Sequence, residues 1–312
     1  MKPFAFVFPG QGSQAVGMLD AWGDHPAVRE TLAEASQALG EDIARLIHEG
    51  PKEALALTTN TQPVMLVAGV AAYRAWRAEG GALPAVVAGH SLGEYAALVA
   101  AGSLTLAQAA PLVRFRAQAM QQAVPVGTGA MAAILGLDAA VVREVCAAVA
   151  AETAEVVEPA NFNDPKQTVI AGSKAGVDRA CEQLKAKGAK RALLLAVSAP
   201  FHSSLMKPAA DALRERLAGV ALSAPRIPVV NNIDVAVQAD PAAIREALFR
   251  QAFGPVRWVE VTQALRARGL LHILECGPGK VLSGLVKRVD ADIQTTTVLD
   301  PASLKAALEM LA

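Results

Sequence analysis

Short apolar runs rich in β-branched and aromatic residues punctuate the chain, and long Ala- and Leu-rich stretches with helical spacing separate them. The runs at 4–8, 85–88, 228–230, 271–274 and 296–299 are each followed by Gly, Asn or Asp and then by a helical stretch. They read as the buried strands of one parallel sheet. The rhythm changes in the middle of the chain. Strands are expected at 130–135, 155–160, 167–171 and 191–196, with helices at 138–150 and 174–186, an order of βαββαβ that defines a ferredoxin-like unit. The expected fold class is therefore α/β, with a hydrolase-like parallel-sheet core (1–126 and 199–312) and an inserted ferredoxin-like subdomain (127–198). A cleft between the two is the natural place for a ligand.

A length of 312 residues suits two such units, and 53% apolar residues suffice to fill their cores. Lys and Arg number 29 against 29 Asp and Glu, with no basic tract, so neither nucleic acid nor a membrane surface is an expected partner. No apolar stretch approaches the ~20 residues of a membrane-spanning helix. The start of the chain meets Pro9-Gly10-Gln11-Gly12 after one short apolar run and reads as mature structure rather than a signal peptide. Three widely spaced cysteines, Cys146, Cys181 and Cys276, fit neither a disulfide framework nor a metal site. A cytoplasmic protein, without a metal or cofactor, is the expectation.

The segment Gly89-His90-Ser91-Leu92-Gly93 is a G-x-S-x-G sequence between a strand and a helix opening. A sharp strand-to-helix turn has no room for a Cβ at its flanking positions, hence the glycines, and it holds the serine hydroxyl near N–H groups that could stabilise an oxyanion. A nucleophilic serine needs a base. His90 adjoins the serine and should point elsewhere, His25 precedes Pro26 in a loop, His48 lies on an amphipathic helix and His272 in a strand. Only His202 stands in a polar loop after a strand at the subdomain boundary. No acidic residue lies between Lys185 and Asp211, so its ring is expected to lean on a backbone carbonyl rather than on the carboxylate of a triad.

Gly10-Gln-Gly-Ser-Gln-Ala15 imitates a dinucleotide fingerprint, but Gly17, Gly23, Asp24 and Pro26 interrupt the helix that should follow. Gly277-Pro-Gly-Lys280 lacks the spacing of a phosphate-binding loop and reads as a turn into a helix. Arg114 and Arg116 fall in an otherwise mostly apolar helical stretch at 104–123, where either could be a solvated charge or a fork for a carboxylate.

Taken with Phe8-Pro-Gly-Gln-Gly-Ser-Gln14, Thr61-Gln-Pro63, Gly89-His-Ser-Leu-Gly-Glu94, Gly127-Thr-Gly-Ala-Met131, Asn161-Phe-Asn163, Pro200-Phe-His202, Asn231-Asn-Ile-Asp234 and Gln251, these segments resemble the malonyl-CoA:acyl-carrier-protein transacylases of bacterial fatty-acid synthesis from end to end. The resemblance implies ping-pong transfer from malonyl-CoA to the phosphopantetheine thiol of acyl carrier protein. It carries the nucleophile to Ser91, the base to His202, the oxyanion donors to the N–H groups of Gln11 and Leu92, and the carboxylate-binding arginine to Arg116. Gln251 and Gln62 are implied in support, and a backbone carbonyl near Gln251 would hold the histidine. Phe201 departs from the serine frequent before the histidine in bacterial members and is similar to malonyl-type domains of polyketide synthases. A malonyltransferase of a polyketide or malonate-decarboxylase system is therefore one alternative. A serine thioesterase is another, but it would place an acid between serine and histidine and give the insertion no purpose. An inactive carrier-binding module would have no reason to keep Ser91, His202 and Arg116. Carriers of this pathway are acidic by the same resemblance, and Lys187, Lys190 and Arg191 form the expected docking patch on a protein expected to be monomeric.

Overall fold

The computed structural model describes residues 2–312 and holds two sheets. The first has the order β7-β2-β1-β8-β9 and is built from β1 (Phe4–Phe8), β2 (Val86–Gly89), β7 (Val229–Val230), β8 (His272–Cys276) and β9 (Gln294–Val298). Every pairing in it is parallel. The uninterrupted apolar run of β1 follows from its central place. Phe4, Phe6 and Phe8 face one core, where Phe6 meets Tyr73 and Trp76 of the helix Thr58–Ala78 edge to face, whereas Ala5 and Val7 face a second core with Trp258, Val261 and Leu285. A strand buried on both faces cannot alternate apolar with polar.

Between β2 and β7 the chain builds the second sheet, which is antiparallel and ordered β4-β5-β3-β6, from β3 (Gly129–Leu135), β4 (Val157–Asp164), β5 (Gln167–Ser173) and β6 (Arg191–Leu194). The helices Ala139–Thr153 and Lys174–Ala186 cover one face through Val142, Cys146, Val177 and Leu184. Its other face joins the main core through Met131, Val169 and Ala171. This is the expected ferredoxin-like order on a parallel-sheet body.

β6 ends two residues short of expectation, β8 runs two residues further and β9 begins two residues earlier, but the largest departure is in β4. β4 runs on to Asp164 instead of ending at 160, with register shifts between Pro159 and Asn161 and between Phe162 and Asp164. Pro159 cannot donate to the ladder, and such irregularities bend a strand and re-aim its side chains. Beyond the first shift Phe162 N–H donates to Val256 O and Val256 N–H to Ala160 O, both at 2.9 Å, which joins this strand to the parallel-sheet body through the backbone. No helix among the described residues is long and apolar enough to cross a membrane.

Candidate active site

The parallel strands β1 and β2 end side by side, and the turns after them form the floor of a cleft of about 190 Å³. Met131, Asn161, Asn163, Val169 and Leu195 line it from the second sheet and its edge. A crevice at the carboxyl ends of parallel strands is where open α/β sheets bind ligands.

The turn after β2 is as tight as its sequence requires. A Cβ on Gly89 would lie 1.9 Å from the carbonyl carbon of Gly93, and one on Gly93 would lie 2.0 Å from Phe8 O. Between them Ser91 has φ +51°, in the left-handed region that costs a non-glycine residue energy. Asn232 offsets part of that cost, since its Oδ1 accepts from Ser91 N–H at 2.7 Å and its Nδ2 donates to Gly89 O at 2.7 Å. The hydroxyl is thereby presented to the cleft, with Leu92 N–H at the opening of the helix Gly93–Ala100 and Gln11 in the loop after β1. The side-chain Nε2 of Gln11 donates to Thr58 Oγ1 at 3.3 Å.

His202 Nε2 lies 2.6 Å from Ser91 Oγ. Its Nδ1 faces Gln251 O at 2.9 Å and Gly254 O at 3.1 Å, and as carbonyls only accept, this assigns the proton to Nδ1 and leaves Nε2 the acceptor. Both carbonyls belong to the C-terminal end of the helix Pro241–Phe253, where the last carbonyls have no intrahelical partner and the helix dipole is negative. A helix end thus stands where a triad would place an acid. Burial, followed by the nearby Arg116 guanidinium, holds the imidazole down at about 3, so the ring is neutral.

Arg116, 1% exposed, reaches the same spot from the helix Leu106–Gln122. Its Nη1 donates to Gln62 Oε1 at 2.7 Å, and its Nη2 to Gln251 Oε1 at 3.1 Å and Ser91 Oγ at 3.3 Å. Arg114, two residues earlier, leaves the site altogether and pairs with Glu41 and Asn60. Phe201 is buried and lines the cleft. His90 does point away from the serine, its Nε2 lying 2.9 Å from Asn163 Oδ1 across the cleft.

Lys187, Lys190 and Arg191 are exposed, but Arg191 pairs with Leu135 at the far end of β6 from the cleft-lining Leu195. Four strand residues put about 13 Å between those ends. Sequence reasoning gave no part to Asn232 or Glu94, although both lie inside recognised segments. The signal for Glu94 was an acid in an apolar helical opening, Glu94-Tyr-Ala-Ala-Leu98, where an unpaired charge would be costly. No group of three or more His, Cys, Asp or Glu among the described residues could hold a metal ion.

Residues 5–300 match the family model described as acyl transferase domain, and the chain belongs to that family. It is 53% identical over 311 residues, 99% of each chain, to the malonyl CoA-acyl carrier protein transacylase of Salmonella typhimurium. The crystal structure of an acyl-carrier-protein S-malonyltransferase from Burkholderia pseudomallei superposes with a TM-score of 0.97 at 66% identity, covering 99% of this chain and 100% of that one. A malonyl-transacylase solved in complex with a type II polyketide acyl-carrier protein is 50% identical, with a TM-score of 0.97 over 99% of this chain and 100% of its own.

Proposed function

We propose that this acyltransferase moves a malonyl group from malonyl-CoA to the phosphopantetheine thiol of an acyl carrier protein, through a malonyl-Ser91 intermediate, to supply fatty-acid elongation. One observation carries the reading: Ser91 Oγ lies between a neutral imidazole at 2.6 Å and a buried guanidinium at 3.3 Å. The malonyl carboxyl carbon is two C–C bonds from the thioester carbonyl, a span of about 2.5 Å. A cation beside the nucleophile suits that short diacid, pairing its charge and setting the carbonyl against Oγ.

In the first half-reaction His202 Nε2 takes the proton of Ser91 as Oγ attacks the thioester carbon. The N–H groups of Gln11 and Leu92 receive the developing oxyanion. As the C–S bond breaks, the histidine returns its proton to the coenzyme A thiolate. The carrier thiol then repeats the sequence in reverse order and frees the serine, with no metal or further cofactor in either step. The relative solved with a polyketide carrier protein supports a carrier as the acceptor, and it keeps a polyketide carrier as the second reading. We place the enzyme in the cytoplasm, in keeping with three free, buried thiols.

Intact mass after mixing with malonyl-CoA, without carrier, should show one malonyl adduct that is absent from Ser91→Ala. An adduct on any other residue, or none on the wild type, would overturn the reading.

A further inference from the structure

The helix Gly93–Ala100 opens with a carboxylate to which the reaction above gives no part. Glu94 is 2% exposed, and its Oε2 accepts from two donors, Asn232 N–H at 2.9 Å and Gln251 Nε2 at 3.0 Å. The same Gln251 amide donates to Ser91 O at 3.0 Å, while its Oε1 accepts from Arg116 at 3.1 Å. An amide has two ends, and only one orientation works here. With an acceptor at Glu94, Nε2 must face the carboxyl and Oε1 must face the guanidinium. Turned over, the amide would set its NH₂ against the N–H groups of Arg116 and its oxygen against two acceptors, Ser91 O and the carboxyl oxygen, of which Glu94 supplies the one from a side chain.

We infer that Glu94 is a positioning residue for substrate selection: by fixing the Gln251 amide, it aims the Arg116 guanidinium at the carboxylate end of the acyl group. The inference rests on the reading that Arg116 receives the malonyl carboxylate. What Glu94 supplies is an oxygen in a set place rather than a charge. Burial raises its carboxyl to about 7, against the pull of its two hydrogen bonds and of Arg116, and Oε2 can accept whether the group is ionised or carries its proton on Oε1.

Position and charge separate in three variants. Glu94→Ala removes the oxygen, Glu94→Asp keeps the charge but withdraws it by one C–C bond, about 1.5 Å, and Glu94→Gln keeps a carbonyl oxygen within reach of both donors without the charge. The measurement is the ratio of kcat/KM for malonyl-CoA to that for acetyl-CoA on a single preparation of each protein, so that the folded fraction cancels. Ala and Asp should lower the ratio about tenfold, and Gln should recover most of it, to within about threefold of wild type. If Ala does not fold, Asp and Gln decide. An unchanged ratio in Asp, or a loss in Gln as large as that in Asp, would overturn the inference. Failure of the underlying reading would show separately, as an Arg116→Ala protein whose malonyl-to-acetyl ratio equals that of wild type.

Discussion

Ser91 and His202 share a backbone signature, φ +51° and φ +62°, in a region where most side chains are strained. Asn232 anchors the Ser91 backbone, and two carbonyls at a helix end hold the His202 ring. Replacing His202 by Ala should cost about 10²–10⁴-fold in turnover, the usual worth of general acid–base catalysis, with a smaller change in malonyl-CoA binding. Rapid-quench measurement of acylation would check this, and a loss of only a few-fold would point to another base. Because the imidazole is held at about 3, lowering the pH through the ordinary histidine range leaves it unprotonated and competent. With a malonyl thioester lacking phosphates, kcat/KM for acylation should stay flat from about pH 8 to about pH 5 and show no limb near 6.5, since Glu94, at about 7, accepts its two hydrogen bonds in either protonation state; Glu94→Gln should share the flat profile. Arg116→Ala should lose malonyl transfer and gain relative activity on acetyl-CoA, and Arg116→Lys should recover only part, since an ammonium lacks the planar fork. Equal preference in wild type and variant, in a competition assay, would remove Arg116 from its role. Ser91 and His202 were legible because glycine spacing and the chemistry of flanking residues single them out. The two arginines were not distinguished by their helix alone. Which one turns inward depends on neighbours such as Gln62 and Glu41, from distant parts of the chain.

At the scale of elements, the strand-to-helix turn and the end of the helix Pro241–Phe253 bring Ser91 Oγ and His202 Nε2 to 2.6 Å. The turn tolerates nothing larger than hydrogen at its flanks, so Gly93→Ala should lower the melting temperature or prevent folding, because the new methyl would meet backbone at Phe8 O. A variant with wild-type melting by calorimetry would show that β1 and the turn can separate without penalty. The strands were readable from sequence wherever burial on both faces leaves an unbroken apolar run, as in β1. The end of β4 was not, because Asn161 and Asn163 carry no strand-like pattern. They extend the strand only through pairing with β5 and the backbone bonds to Val256, partners that local sequence does not reveal.

Across the whole molecule the second sheet is tied to the first by more than its two connections. Besides the β4 bonds to Val256, Arg288 pairs with Asp164 at 2.6 Å and Asn163 meets His90. Carrier docking belongs to this scale. Lys190→Glu combined with Arg191→Glu should raise the KM for carrier protein and weaken its salt dependence, while acylation of Ser91 proceeds normally. Stopped-flow comparison of the half-reactions would check this. Unaffected carrier kinetics would move the docking surface nearer the cleft mouth, since these charges stand at the far end of β6. The order of strands in the parallel sheet also bears on how the protein is made. β1 leaves the ribosome long before one of its two neighbours, β8, which begins only at His272. Until residue 272 emerges, a wholly apolar strand waits with a bare edge that could pair with any passing chain. A nascent chain halted short of that point would lack the partner for this edge, so the interval between the emergence of β1 and that of β8 is when the chain is most open to wrong pairing.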